Sequence, residues 1–122
     1  MGDSRPPDSA ILDLVNSYAR RLADRIEVVL ADPAPALAAE GAVMVLRRDG
    51  RRVRSDAGLV DDARGRRLVA SFPADQVGDG QWRVIVRAAG ERTAPGVRLL
   101  VQGPRPVVLL WGDRPTRPQV EV

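Results

Sequence analysis

The sequence predicts a mainly all-β domain: a seven-stranded antiparallel sandwich preceded by one N-terminal amphipathic α-helix, with a small β-barrel as the other way to close the same strands. Three observations carry that expectation. Apolar and polar residues alternate with a period of two through most of the chain after residue 25. Clusters of Gly, Pro and Asp interrupt the alternation at short intervals. Only the stretch before residue 26 repeats its apolar residues every three or four positions. A length of 122 residues fits a single domain.

Residues 1–7 form a polar, proline-containing leader without periodicity, expected to be disordered. Asp8 or Ser9 can cap a helix over 8–25, whose apolar positions are Ile11, Leu14, Val15, Tyr18 and Leu22. Asp13, Asn16, Ser17, Arg20, Arg21 and Asp24 occupy the opposite face. Such a stripe must be buried, either on its own domain or on another chain. The five apolar residues are therefore candidates for docking a protein partner or for a homodimer.

The sandwich is expected over 26–112, with an irregular tail over 113–122. Ile26, Val28 and Leu30 begin the alternation, which stops at Asp32-Pro33-Ala34-Pro35. Val43-Met44-Val45-Leu46 runs through Arg47-Arg48 into Asp49-Gly50 and out along Arg51-Arg52-Val53-Arg54. Asp-Gly between extended segments signals a type I′ hairpin, because both central residues tolerate positive φ. A two-residue turn sets Arg48 against Arg51, Arg47 against Arg52 and Leu46 against Val53. A second reversal over 61–65 separates Gly58-Leu59-Val60 from Arg67 to Phe72, where Leu68, Ala70 and Phe72 share a face. Trp82, Val84, Val86 and Ala88 then point one way, and Gln81, Arg83, Ile85 and Arg87 the other. Val97, Leu99 and Val101 form the next strand, and Val107 to Trp111 the last. The strand count and turn spacing fit the immunoglobulin or fibronectin type III architecture.

Composition removes whole classes of chemistry. All 19 basic residues are arginine, and lysine, histidine and cysteine are absent. Histidine- or cysteine-based nucleophile systems, Schiff-base lysines, the phosphate-loop lysine, zinc fingers and disulfides are excluded with them. Carboxylates, arginines, hydroxyls and one tyrosine remain. Four aromatics (Tyr18, Phe72, Trp82, Trp111) leave the core to aliphatic residues. No apolar run is long enough to span a bilayer, so the expected location is cytoplasmic. Arginine as the only cation, beside abundant Ala, Val, Asp and Gly, suggests a GC-rich bacterial genome.

The charge is concentrated. Residues 47–67 hold eight arginines (Arg47, Arg48, Arg51, Arg52, Arg54, Arg64, Arg66, Arg67) against four aspartates, which gives +4. The rest of the chain carries −1 within a total of +3. Arginines facing each other across a hairpin repel, so the pattern suits an anionic partner such as a phosphate-bearing glycopolymer. The competing reading is a solvated surface on which the aspartates pair with these arginines. Nucleic acid is disfavoured, because no aromatic is interleaved to stack on bases. Asp61 and Asp62 are adjacent, so in an extended segment they face opposite ways and cannot share a proton. Asp75 and Asp79 lack the ligand spacing of a calcium loop, and no metal or cofactor is expected. Trp82 reads as core, and Trp111 as a partly exposed residue at the sandwich end, a further docking candidate.

Three segments carry a resemblance: Gly80-Gln81-Trp82-Arg83-Val84-Ile85-Val86, Arg98-Leu99-Leu100-Val101 and Arg105-Pro106-Val107-Val108-Leu109. In pattern, residues 26–111 resemble the immunoglobulin-like accessory domains found beside bacterial glycosyltransferases that build cell-surface polymers. The resemblance implies a non-catalytic module that holds a polymer or an enzyme partner, and it transfers no catalytic residue. No transferase segment accompanies it, so such a module would work in trans. A non-catalytic binding or assembly module is thus the expected function. The alternative is a small β-scaffold enzyme working through carboxylates or pocket shape.

Overall fold

The computed structural model describes residues 13–35, 37–63 and 65–111, together with the backbone of 114–115; the side chains of Leu14 and Val15 lie outside that description. Among the described residues ten strands follow one another: β1 (Asp13–Leu22), β2 (Arg25–Ala31), β3 (Val43–Arg48), β4 (Arg51–Asp62), β5 (Gly65–Pro73), β6 (Gly80–Ala88), β7 (Glu91–Thr93), β8 (Val97–Val101), β9 (Val108–Trp111) and β10 (Arg114–Pro115). Their order in the sheet is β1-β2-β5-β4-β3-β6-β8-β9-β10, every pairing is antiparallel, and β7 adds to β6.

One strand turns this sheet into a nearly closed barrel. Residues 51–56 of β4 pair with β3, whereas 57–62 pair with β5, so β4 carries the sheet from one wall to the next. At the seam β1 lies against β9. There the guanidinium of Arg21 donates from Nη2 to the carbonyl of Gly103, 3.0 Å away. The barrel expectation therefore describes the described residues better than two separate facing sheets. Closure answers the exposed-edge problem of a β protein.

Alternation fills the interior as expected. Ile26, Val28 and Leu30 of β2, Met44 and Leu46 of β3, and Leu68, Ala70 and Phe72 of β5 form one cluster with Trp82, Val84, Val86, Val97, Leu99 and Leu109. Leu37, from the β2–β3 connection, is also fully buried in it. Trp82 is 0% exposed, and its indole N–H donates to the carbonyl of Gly78 at 2.8 Å. Ile85, expected to share the outward face with arginines, is nevertheless buried.

The predicted helix over 8–25 is not formed where it can be seen: Asp13–Leu22 is strand β1, paired with β2. Its register explains the misleading periodicity. Between Asp13↔Ala31 and Tyr18↔Val29, five steps on β1 oppose two on β2, so a bulge resets the alternation. The local bonds of the bulge imitate a helix start. Asp13 accepts from the backbone N–H of Asn16 at 3.3 Å and from its side-chain amide at 2.7 Å. Ser17 is buried: its hydroxyl donates to the Asp13 carbonyl at 2.6 Å and accepts the Ala31 N–H at 2.9 Å. Residues 8–12 of the predicted helix, with Ile11, and the 1–7 leader lie outside the described residues. In the tail, Arg114–Pro115 pairs with β9.

Candidate anion-binding site

The β3–β4 hairpin forms with the expected register: Arg48 opposes Arg51, Arg47 opposes Arg52, and Leu46 opposes Val53. Asp49 and Gly50 take φ values of 48° and 83°, the positive pair a type I′ turn requires. What the sequence did not reveal is which strand lies on the other side of β3. It is β6, which sets Arg83 directly beside Arg47, and β8 in turn sets Arg98 beside Arg83. Directly opposed residues of a sheet point the same way. Arg52, Arg47, Arg83 and Arg98 therefore form a ladder on the outer face across four neighbouring strands. With strands about 4.8 Å apart, the ladder is roughly 14 Å long.

Arg47, Arg52 and Arg83 have no carboxylate partner among the described residues. Beneath them lies a small apolar floor. Val45 opposes Ile85 on this outer face, and the two are only 6% and 3% exposed, surrounded by Arg47, Arg52, Arg87 and Arg92. Arginine stems covering apolar surface while their heads stay in water account for the unexpected burial of Ile85. Arg54 opposes Val45, and Arg92 opposes Arg87, so further positive charge borders the ladder.

At the hairpin end of the ladder a cleft of about 470 Å3 opens, lined by Arg47, Arg48, Arg83 and Arg98 with Asp49, Gly50 and Gln81. Arg48 follows the inward parity of Leu46, and its guanidinium carbon stands 6.0 Å from the Trp82 ring centroid. It lies against Gly80, whose φ is +133°: a Cβ built there would meet the Arg48 guanidinium, which would have to move aside. Gln81 accepts from Arg98 Nη1 at 2.8 Å through Oε1 and so fixes that guanidinium. The described lining is mainly cationic, with Asp49 as its one carboxylate.

The remaining arginines of the 47–67 cluster are elsewhere. β4 separates the two hairpins, so Arg66 and Arg67 lie at the end of β4 opposite Arg51 and Arg52. Both are paired: Arg67 Nη2 with Asp62 at 2.6 Å and Arg66 Nη2 with Asp61 at 3.6 Å. Arg64 lies outside the described residues. The cluster that is continuous in sequence is thus divided in space, and its first half is completed by Arg83 and Arg98. Their outward alternation was visible in sequence, but their neighbours were not.

The docking candidates are placed differently from expectation. Tyr18 and Leu22 are half-buried on β1, so no helix stripe remains for a partner along Asp13–Leu22. Leu14 and Val15 belong to the bulged part of the same strand, and Ile11 lies outside the described residues. Trp111 is half-buried and packs against the core. Asp79 accepts the Gly103 N–H at 3.0 Å, and no group of metal-ligating side chains gathers among the described residues. No helix there is long and apolar enough to cross a membrane. Compared with known proteins, the chain matches no family model, no curated protein and no solved structure.

Proposed function

We propose that this protein is a non-catalytic binding module for an anionic polymer, engaged through the arginine ladder Arg52–Arg47–Arg83–Arg98. The observation that carries the reading is the register itself. Like charges directly opposed across strands cost stability, and here four sit in a row, of which Arg47, Arg52 and Arg83 have no carboxylate partner among the described residues. A polyanion laid across the strands offsets that repulsion with fork-shaped, charge-assisted hydrogen bonds. The filled core and the polar lining of the cleft favour binding over small-molecule catalysis in an enclosed pocket. Tyr18, the one tyrosine, opposes Val29 on the far side of the sheet order and does not line the cleft.

Titrating the protein with heparin as a generic polyanion, at increasing salt, tests the reading. Affinity falls steeply with salt, and the slope shrinks by about one for each ladder arginine replaced by glutamine. An affinity that does not change with salt, or one that survives Arg47→Gln with Arg83→Gln, overturns it.

A further inference from the structure

The ladder is open along its length, but the cleft at its hairpin end is concave and chemically mixed. We propose that this cleft holds the phosphate monoester of a sugar-like ligand, either as a free sugar phosphate or as the phosphorylated end of a polymer; the proposal rests on the anion-binding reading above and gives it a ligand class.

Four features narrow the ligand. Arg47, Arg83 and Arg98 of the outer face border one cleft together with Arg48, and this concentration of cations suits the several oxygens of a phosphate dianion. Arg98 is held by Gln81 through Oε1, which leaves the Nε2 hydrogens of Gln81 to donate as well. The volume falls within the roughly 300–1,000 Å3 typical of small-molecule sites, more than a lone oxyanion fills. A hydrophilic remainder suits the cleft, because no apolar or aromatic side chain is among its described lining residues and Trp82 below it is fully buried. A nucleobase would find nothing to stack on.

Asp49 selects within that class. It is the only carboxylate among the described residues that line the cleft, and it makes no hydrogen bond or ion pair among the described residues although arginines surround it. A carboxylate beside a phosphate site repels a bare polyanion but accepts hydrogen bonds from hydroxyl groups. Phosphate against the arginines with hydroxyls against Asp49 is the arrangement a sugar phosphate satisfies.

The test is calorimetry at low ionic strength with glucose-1-phosphate, inorganic phosphate, glucose and heparin. Glucose-1-phosphate is expected to bind at least about tenfold tighter than inorganic phosphate, the scale of one charge-assisted hydrogen bond, with glucose alone silent. Asp49→Gly, which keeps the positive φ of the turn, should erase that advantage while leaving phosphate binding intact. Arg83→Gln and the surface change Gln81→Ala should weaken both ligands, with circular dichroism confirming the fold. Equal affinity for phosphate and glucose-1-phosphate overturns the proposal. Heparin binding that glucose-1-phosphate cannot displace also overturns it, yet leaves the polymer reading standing. Binding of glucose-1-phosphate without heparin supports the cleft and removes the polymer. Silence from both removes the two together.

Discussion

The two hairpins that share β4 are both rich in Arg and Asp and have opposite electrostatic solutions. In the β4–β5 hairpin, Arg66 and Arg67 face away from one another along the strand, and each finds an aspartate, Asp61 or Asp62, on the same hairpin. In the β3–β4 hairpin, Arg47 and Arg48 meet Arg52 and Arg51 across the ladder, and β6 adds Arg83. Asp49 sits in the turn without pairing to any of them. Arg66 and Arg67 are neutralised within their hairpin; Arg47 and Arg52 stay on the outer face with no carboxylate partner among the described residues. The difference lies in where the carboxylates stand: Asp61 and Asp62 lie on the strand beside Arg66 and Arg67, whereas residues 43–48 hold no acid and 51–55 none either.

The largest effect expected from this contrast is on binding. Arg47→Gln with Arg83→Gln should lower heparin affinity about 100-fold at low salt, given roughly 1.5–3 kcal/mol for each hydrogen-bonded charge. Arg66→Gln with Arg67→Gln should change it less than about twofold, and equal losses in both pairs would end the distinction. Next comes the support beneath the first hairpin. Gly80→Ala puts a Cβ into the Arg48 side chain at a left-handed φ, and should cost about 1–3 kcal/mol in urea unfolding while displacing Arg48 from Trp82.

Smaller still are two stability changes of opposite sign. Arg67→Gln breaks the pair with Asp62; since Asp62 is 46% exposed and Arg67 18%, the loss should be no more than about 1 kcal/mol. Arg52→Glu places a carboxylate opposite Arg47 and should raise stability by about 0.2–1 kcal/mol while weakening polyanion binding. Thermal unfolding of the two variants side by side reads the signs directly. A stability loss in Arg52→Glu would mean that the outward arginines already have compensating partners.

Much of the wall structure was legible because it is written in short-range chemistry. Asp49-Gly50 specifies its turn and hence the register of every pair in the first hairpin, and the strict alternation from Trp82 to Ala88 specifies which face is core. β1 was not legible, because its bulge breaks the period of two and Asp13, Asn16 and Ser17 make the i+3 and i+4 bonds that helices use. The candidate site was half legible for a different reason. Arg47, Arg48 and Arg52 declare themselves by proximity in sequence, but Arg83 and Arg98 join them only through β3–β6 and β6–β8 pairing, a long-range choice that no local pattern encodes. The same ignorance of pairing made Arg66 and Arg67 look like members of one cluster.

The apolar pair Val45 and Ile85 under the ladder bears on how binding would proceed. A solvent-exposed arginine holds about 2 kcal/mol of rotamer entropy, and immobilising such a side chain on complex formation costs roughly 0.5–1.5 kcal/mol. Arg47 and Arg52 border that floor, and a stem laid along it gives up part of this freedom before any ligand arrives. The hydrophobic contact, which touches no anion, thereby pre-organises the cations. Replacing Val45 or Ile85 by a polar residue of similar size should loosen the ladder and raise the dissociation rate, with every arginine still in place.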